Sequence, residues 1–304
     1  MSLRPPRDDD FEAMLELMNA HQLAIFGKAD VTAEELRTWL TTPSVDPQRD
    51  VRLLERDGRL IGYVDADKTK NEPVRWWSDL KVAPDVDAAK VVPELLGWLE
   101  ERADEGLLRV WTSADDERLL PLYRADGFDV TRHSYRMEIE LDGDERDPSW
   151  PDGLHVRTFE PDDERRLYEI VVEVWKDTTE PIGEPFEEFR HWTTQREGFD
   201  PTLWFLVFDG DELAAFALCN PDDVDPDTGY VNLLGVRRAW RKQGLGEALL
   251  LQSFGVFRKR GYTRATLGVD ASSPTGATRL YERAGMRVYR DTVMLDRPVR
   301  RSPE

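Results

Sequence analysis

One segment of the chain combines glycines and basic residues in an order that suits phosphate binding. The segment LLGVRRAWRKQGLGEALL (233–250) reads as an apolar strand, a basic turn containing two glycines, and an apolar helix. The turn contains four cationic side chains, Arg237, Arg238, Arg241 and Lys242. A turn of this kind presents consecutive backbone N–H groups at a helix N-terminus, where the helix dipole adds positive potential. The pattern therefore predicts a site for a phosphate or pyrophosphate group.

The spacing of the glycines separates this turn from two common nucleotide-binding loops. A P-loop ends in Gly-Lys followed by Ser or Thr, whereas Gly246 is followed by Glu247 and Ala248. A Rossmann turn needs three spaced glycines and a later acidic residue, and the stretch 241–246 fits that pattern no better. ATP, GTP and dinucleotides are thus disfavoured as ligands. A tight turn with incidental basic residues is the structural alternative.

The turn does resemble a known signature. RKQGLG (241–246) is similar to the pyrophosphate-binding pattern of the GNAT superfamily, Arg/Gln-x-x-Gly-x-Gly/Ala. Downstream, LGVDASSPTGATRLYERAGM (267–286) resembles the GNAT segment in which a strand precedes Asn-x-x-Gly-Ala and then Leu-Tyr-Glu-x-x-Gly-Phe. The resemblance covers 157–297 well and 1–141 in outline, an arrangement similar to mycothiol synthase and related tandem GNAT proteins. It implies an N-acetyltransferase that uses acetyl-CoA as cosubstrate.

The resemblance also implies which residues hold the cosubstrate. The CoA pyrophosphate is expected to bind the backbone amides of Gln243, Gly244, Leu245 and Gly246, with Arg241 and Lys242 beside them. The pantetheine arm is expected to pair with the strand edge at Leu234 and Val236, much as an added β-strand does. Ser273 stands where the family often has Asn before the last helix, and it is a shorter residue that still hydrogen-bonds.

The same resemblance assigns part of the chemistry. Tyr281, in LYERAGM, corresponds to the family tyrosine that lies near the acetyl sulfur, and its phenol could protonate the departing CoA thiolate. The backbone N–H of Val236 would stabilise the tetrahedral intermediate formed when an acceptor amine attacks the thioester directly. Aromatic helix packing is the structural alternative for Tyr281.

The general base is left unassigned. In mycothiol synthase-like sequences a glutamate on the strand before the loop acts as base, and this chain has Tyr230 there. Glu184, Glu187 and His191 lie in the segment that usually covers the acceptor, and they are equally consistent with surface charge. A chain of water molecules is a further alternative.

The elements that position these residues occur twice in the chain. VRLLERDGRLIGYV (51–64) matches WFLVFDGDELAAFAL (204–218), with Asp57-Gly58 against Asp209-Gly210, and Asp-Gly between apolar alternations predicts a β-hairpin. Leu122-Tyr123 matches Leu280-Tyr281, and the matched signals lie 152 to 158 residues apart in the same order. We therefore predict two copies of one α/β unit, and the resemblance implies that they form a tandem duplicated GNAT fold with a mixed sheet. The expected domains are 1–141 and 154–304, joined by a polar linker at 142–153.

In the second copy, the apolar patterns predict a strand at 230–236, a helix at 246–261, a strand at 264–270 and a short helix from Thr275 to Ala284. Gly261 and Gly285 are typical of the positions that end helices.

The first copy lacks the signature. With Val82 aligned to Val236, Lys90 and Val92 fall at the positions of Gly244 and Gly246, within VAPDVDAAKVV (82–92). Carboxylates in this stretch would repel a pyrophosphate, and β-branched residues would keep the backbone away from it. We therefore expect the first copy to be degenerate and the second to be catalytic.

Composition limits the partners. The 304 residues carry a formal net charge of −20, which disfavours nucleic acid and anionic membranes as partners. The single cysteine, Cys219, excludes an intrachain disulfide and is expected to be a small buried residue, and no metal site is expected. The N-terminus has no apolar signal region, so we expect a cytoplasmic protein. The resemblance implies that it acts on a small-molecule primary amine, and a monomer and a homodimer are both consistent with the sequence. A non-catalytic acyl-CoA-binding or sensing module is the alternative function.

Overall fold

The computed structural model describes residues 1–69, 72–143, 146–179, 181–196, 198–274 and 276–300. Contacts divide the chain into two compact units. The first, unit 1, is Met1–His133 together with the residues from Asp291 onward, and the second, unit 2, is Ser134–Arg290. Each unit has its own cluster of buried apolar side chains.

Unit 1 contains five helices within the described ranges, at Phe11–Phe26 (α1), Ala33–Leu40 (α2), Pro47–Asp50 (α3), Ala88–Arg102 (α4) and Leu120–Ala125 (α5). Its strands are Ser2–Arg4 (β1), Val51–Arg56 (β2), Arg59–Asp65 (β3), Asp67–Lys68 (β4), Arg75–Trp77 (β5), Leu80–Val82 (β6) and Leu107–Ser113 (β7). Strand Asp129–Glu140 (β8) then leads into the second half of the chain.

Unit 2 contains the helices Glu164–Trp175 (α6), Phe186–Trp192 (α7), Leu245–Lys259 (α8) and Ala277–Arg283 (α9). Its strands are Leu154–Thr158 (β9), Trp204–Asp209 (β10), Glu212–Pro221 (β11), Thr228–Val236 (β12) and Arg264–Asp270 (β13), and the chain continues into Arg287–Pro298 (β14). In the part of the chain that the structure describes, no helix is both long enough and apolar enough to span a bilayer.

The predicted local elements are confirmed where the structure describes them. The Asp-Gly turns join β2 to β3 and β10 to β11 as antiparallel hairpins, with Asp57 and Gly58 both at positive φ. The strand predicted at 264–270 is β13, and the helix predicted at 246–261 is α8. The short helix predicted from Thr275 is α9, although Thr275 itself lies outside the described residues.

The two halves repeat the same arrangement. In each half, an antiparallel hairpin is followed by a strand, a long helix and a further strand, and the strands before and after the helix pair in parallel. These parallel pairs are β5 with β7 and β12 with β13. The tandem mixed α/β architecture predicted from the repeats is therefore confirmed.

The last strand of each half pairs in an order that the sequence division does not anticipate. Residues 134–140 of β8 pair with β13 in unit 2, whereas residues 292–298 of β14 pair with β7 in unit 1. The predicted division into 1–141 and 154–304 assigns β8 to the first domain and β14 to the second. The contacts instead assign residues 134–140 of β8 to unit 2 and residues 292–298 of β14 to unit 1. The alternation of apolar and polar residues predicts that a segment forms a strand, but it does not determine which sheet the strand joins. The segment 142–153, of which 144 and 145 lie outside the described residues, remains the proposed junction of the repeats.

A fork opens between β12 and β13. Their parallel pairing runs from Thr228↔Arg264 to Val231↔Leu267, while β12 continues to Val236 and β13 to Asp270. A shift in register of the β11–β12 pairing lies next to this point, between Leu218 and Cys219. Such a bulge bends a strand and increases its twist. We call the opening between the separated strand ends the fork.

Candidate functional site

The edge of β12 that borders the fork carries unused backbone groups. The N–H of Arg237 donates to the carbonyl of Ala214 at 3.0 Å, so the pair Ala215↔Val236 is of the non-hydrogen-bonded kind. The N–H and carbonyl of Val236 therefore point away from β11, toward the fork, and of the two the carbonyl already accepts a hydrogen bond from Arg241. The same alternation directs the backbone polar groups of Leu234 to this side. The fork is thus lined by a strand edge that can pair with an extended ligand.

The glycine-rich turn ends in the N-terminus of α8. Lys242 and Gly244 have φ values of 63° and 88°, and Gly244 is the N-cap residue. Within the described ranges, the N–H groups of residues 243–247 have no protein acceptor, and Ala248 is the first to donate, to the Gly244 carbonyl. Closely spaced positive-φ residues at a helix start concentrate N–H donors, which is the geometry that anions bind.

The second glycine of the turn has a packing role as well. A Cβ placed on Gly246 would lie 2.9 Å from a methyl group of Leu280 and 3.9 Å from one of Leu234. Gly246 thus lets the start of α8, the edge of β12 and helix α9 come together. A Cβ on Gly244, in contrast, would meet nothing within 4 Å. Gly244 therefore faces open space, where a ligand can approach the backbone.

The arginines of the turn are paired with carboxylates, which sequence reasoning missed. Arg237 contacts Glu173 and Glu212, each at 2.9 Å. Arg238 and Arg241 both contact Asp177, with the Nη2 of Arg241 at 2.7 Å. Lys242 is exposed and has no ion-pair partner among the residues that the structure describes.

Asp177 connects two parts of the site. Hydrogen bonds from Arg238 and then Arg241 hold the pKa of this carboxyl well below its ordinary value, so it is ionised. Arg241 also donates its Nε to the carbonyl of Val236 at 2.9 Å. Two residues further along, the hydroxyl of Thr179 donates to Asp270 at the end of β13. The segment 177–179 therefore contacts both the loop that follows β12 and the end of β13.

Tyr281 lies in α9 and is 7% exposed. Burial, and then the neighbouring Tyr230, raise the pKa of its phenol to about 12. The phenol is therefore protonated near neutral pH. Within the described ranges its hydroxyl has no protein hydrogen-bond partner, so its proton is available.

Tyr230 lies at the point where the fork begins. Its hydroxyl is 3.5 Å from the position of a Cβ on Gly268, the first residue of β13 beyond the paired segment. The guanidinium carbon of Arg136, on β8, lies 4.9 Å from the centre of the Tyr230 ring. The only sequence signal for this residue was the glutamate of related sequences at the same strand position.

The other sequence candidates have local partners. Ser273 lies in the turn between β13 and α9, where its N–H donates to the Asp270 carbonyl at 3.0 Å. Glu187 pairs with Arg190 at 3.1 Å, and Glu184 accepts the N–H of Gly183. His191 stacks edge-on against Trp192. None of these contacts joins Glu184, Glu187 or His191 to either tyrosine.

In unit 1 the equivalent strand edge is occupied by side chains. The N–H of Ala83 donates to the Ile61 carbonyl, so the polar groups of Val82 point away from β3, as those of Val236 point away from β11. The Val82 N–H donates to the Nδ1 of buried His21 at 3.0 Å, and Arg118 donates to the Val82 carbonyl at 3.2 Å. Burial and the nearby Lys81 lower the pKa of His21 to about 3, so its ring is neutral and can accept.

The loop after β6 is shorter than the loop after β12, which corrects the residue alignment. Helix α4 begins at Ala88, only six residues after Val82, whereas α8 begins at Leu245, nine residues after Val236. Lys90 and Val92 therefore lie inside α4 instead of opposite Gly244 and Gly246. The N-cap of α4 is Asp87, whose carboxylate accepts the Ala89 N–H at 3.1 Å.

Cys219 is fully buried, as expected, with its Sγ 3.4 Å from the hydroxyl of Ser253. Burial raises the pKa of its thiol to about 12. A neutral thiol with no exposure is a poor nucleophile. Among the described residues, no group of three or more His, Cys, Asp or Glu side chains is arranged to hold a metal ion.

Known protein families and sequences include several that resemble this chain. Residues 161–286 match the Acetyltransferase (GNAT) family. A mycothiol acetyltransferase of Geodermatophilus obscurus is 31% identical over 250 residues, which cover 78% of each chain. One of Thermomonospora curvata is 34% identical over 209 residues, covering 67% of this chain and 68% of the relative.

Solved structures agree with these matches. A GCN5-related N-acetyltransferase from Sphaerobacter thermophilus superposes with a TM-score of 0.78 at 31% identity, covering 100% of this chain and 97% of the other. A tandem GNAT protein from the clavulanic acid biosynthesis pathway has the same TM-score at 14% identity and covers 99% of each chain, which supports the fold alone.

Proposed function

The chain belongs to the GNAT acetyltransferase family, and on that premise we propose that unit 2 transfers the acetyl group of acetyl-CoA to the primary amine of a small molecule. One observation carries this proposal. The fork between β12 and β13, with the Val236 N–H directed into it, lies beside a helix N-terminus with five N–H groups that have no acceptor in the described part of the chain. An extended thioester with a pyrophosphate at its far end suits both features.

Each part of the cosubstrate has a proposed contact. The pyrophosphate binds the N–H groups at the start of α8, from Gln243 to Gly246, because several donors and the helix dipole act together there. Arg241 and Lys242 add positive charge beside the loop. The pantetheine arm pairs with the edge of β12 at Leu234 and Val236, and Ser273 contacts it from the turn after β13.

We propose that the reaction is a direct attack of the amine on the thioester carbon. The Val236 N–H donates to the oxygen of the tetrahedral intermediate, where a fixed donor stabilises developing negative charge. Tyr281 protonates the sulfur as the carbon–sulfur bond breaks. A covalent acetyl-cysteine intermediate is disfavoured, because the thiol of Cys219 is buried and neutral.

We further propose that unit 1 is degenerate and binds no acyl-CoA. Its equivalent backbone donor, the Val82 N–H, is already bonded to His21, whereas the Val236 N–H is directed into the fork. The carbonyls of both residues accept from an arginine, so they do not distinguish the two units. At the helix N-terminus, Asp87 occupies one donor and adds negative charge where a phosphate would have to bind. A ligand would have to displace both the His21 bond and the Asp87 cap.

Free thiol release from acetyl-CoA in the presence of a library of small amines tests the function. Because Cys219 is buried, a thiol reagent should detect released CoA with little background from the protein. We expect amine-dependent thiol release and a product heavier by one acetyl group. The relatives named mycothiol acetyltransferases make mycothiol-related amines a first choice, and Tyr230 in place of the family glutamate argues for testing others as well. Tight acetyl-CoA binding without turnover of any amine would instead indicate a non-catalytic acyl-CoA-binding module.

A further inference from the structure

We propose that Tyr230 is a second catalytic residue, which takes the proton of the attacking amine at the fork and passes it, with Tyr281, to the departing thiolate. This proposal rests on the acetyltransferase function proposed above. It assigns the proton acceptor that the sequence leaves open.

The position of Tyr230 carries the argument. Its hydroxyl lies beside Gly268, where β12 and β13 separate, and the Val236 N–H points into the same opening. Gly268 has no side chain to fill the space next to the phenol. Tyr281 approaches from α9 and is near enough for the two phenols to interact electrostatically. The reacting thioester carbon would lie between a phenol on the strand and a phenol on the helix.

Both hydroxyls are uncommitted. Within the described ranges, neither phenol makes a hydrogen bond to protein, although buried or half-buried polar groups usually find a partner. The Tyr230 ring is nevertheless held in place, because the guanidinium of Arg136 lies 4.9 Å from its centre. An oriented ring with a free hydroxyl suits a group that must bond to a substrate.

The chemistry of Tyr281 gives the reason for a relay. Its phenol has a pKa of about 12, well above the pKa of about 8.5 of an ordinary thiol. Giving its proton to a thiolate and remaining as a buried phenolate would be unfavourable. If Tyr281 regains a proton from Tyr230 in the same step, no phenolate has to persist.

The proposed step balances as follows. The amine arrives as the free base, and its nitrogen forms a bond to the carbonyl carbon. A nitrogen-bound proton moves to the oxygen of Tyr230, while the proton of Tyr230 moves through a water molecule to the oxygen of Tyr281. The proton of Tyr281 moves to the sulfur as the carbon–sulfur bond breaks. The products are the amide and the free thiol of CoA, and both phenols end as they began.

The first test replaces the strand phenol. Tyr230→Phe removes one hydroxyl, and general acid–base catalysis contributes about a hundred- to ten-thousand-fold. We expect kcat to fall by an amount in that range, while the Kd for acetyl-CoA and the melting temperature stay close to wild type. Tyr230→Glu supplies another proton acceptor and should be faster than Tyr230→Phe. Tyr262→Phe is the matched control, since Tyr262 packs on Phe257 beyond the C-terminal end of α8 and should keep full activity.

The second test is a double-mutant cycle with Tyr281→Phe. Two members of one relay fail together, so the double variant should be no slower than the slower single variant. Independent acid and base roles would instead multiply the two effects, which would overturn the relay. Full activity in Tyr230→Phe, or equal rates for the Phe and Glu variants with normal acetyl-CoA binding, would also overturn it. Absence of amine-dependent turnover in the wild type would refute the proposed function itself.

Discussion

Gly244 offers the sharpest perturbation of the proposed pyrophosphate site. At φ 88° it has a backbone conformation that side chains rarely adopt, and a Cβ there would point into open space. Gly244→Asp should therefore cost about 1–2 kcal/mol of folding free energy through backbone strain. An exposed turn with ordinary dihedral angles would tolerate the change, and the positive φ of Gly244 adds this cost.

The effect on binding should be larger. At about 4 Å and an effective dielectric constant of about 20, two like unit charges repel by about 4 kcal/mol, which corresponds to about a thousand-fold in affinity. The new carboxylate would lie among the N–H groups of residues 243–247 that we propose bind the pyrophosphate. We expect the Kd for acetyl-CoA to rise at least about a hundred-fold, allowing for screening by salt.

The control lies at the other end of the same helix. Gly261 also has φ 88°, and a Cβ there would also meet nothing within 4 Å. Gly261→Asp should therefore lose similar stability and keep wild-type affinity, and Gly244→Asn should separate steric from charge effects. Affinity is measured by titration calorimetry and stability by urea unfolding. Equal affinities for Gly244→Asp and wild type in folded protein would refute the placement of the pyrophosphate.

Three further predictions follow from the site and from unit 1. Tyr281→Phe should lower kcat by about a hundred- to ten-thousand-fold with little change in the Kd for acetyl-CoA, whereas Tyr123→Phe should leave kcat unchanged. The reverse pattern in steady-state assays would contradict the assignment of Tyr281 as the proton donor. Asp177→Asn removes a carboxylate beside the loop and should tighten acetyl-CoA binding several-fold at low salt but not at high salt; weaker binding would instead mean that Asp177 positions the arginines. The pKa of His21 is about 3 in the folded chain, below its ordinary 6.5, so between these pH values the unfolded chain binds a proton that the folded chain does not. As pH falls through this range, the free energy of unfolding should therefore drop by up to about 1.4 kcal/mol per pH unit. In urea unfolding, His21→Gln should reduce this slope, whereas the control His155→Gln, at an exposed residue, should leave it unchanged.

Local signals were sufficient for most of the elements around the site. The strand at 264–270 and the helix starting near 246 could be predicted because apolar periodicity and glycines lie within each segment. The Asp-Gly turns likewise fix their hairpins through residues that are adjacent in sequence.

Long-range contacts could not be predicted in this way. His21 binds the backbone of Val82 across 61 residues, and Asp177 binds Arg238 across 61 residues. Neither contact leaves a periodic trace in the sequence. The pairing of β14 with β7 is similarly invisible, because strand patterns are compatible with more than one partner.

The loop after β6 shows why an alignment at constant offset fails. The repeat period predicted that Lys90 would match Gly244, but the shorter loop moves the helix start to Ala88. Loop lengths vary at little energetic cost. The acidic character of this loop was nevertheless visible, and Asp87 caps the helix there.

The central claim is that one acetyl-CoA binds each chain, in unit 2. Titration calorimetry of the full-length wild-type chain with acetyl-CoA measures this stoichiometry directly. We predict one site per chain, with no residual binding to a folded Gly244→Asp variant at concentrations that saturate the wild type. Two equivalent sites per chain, or one site that Gly244→Asp leaves intact, would contradict the account.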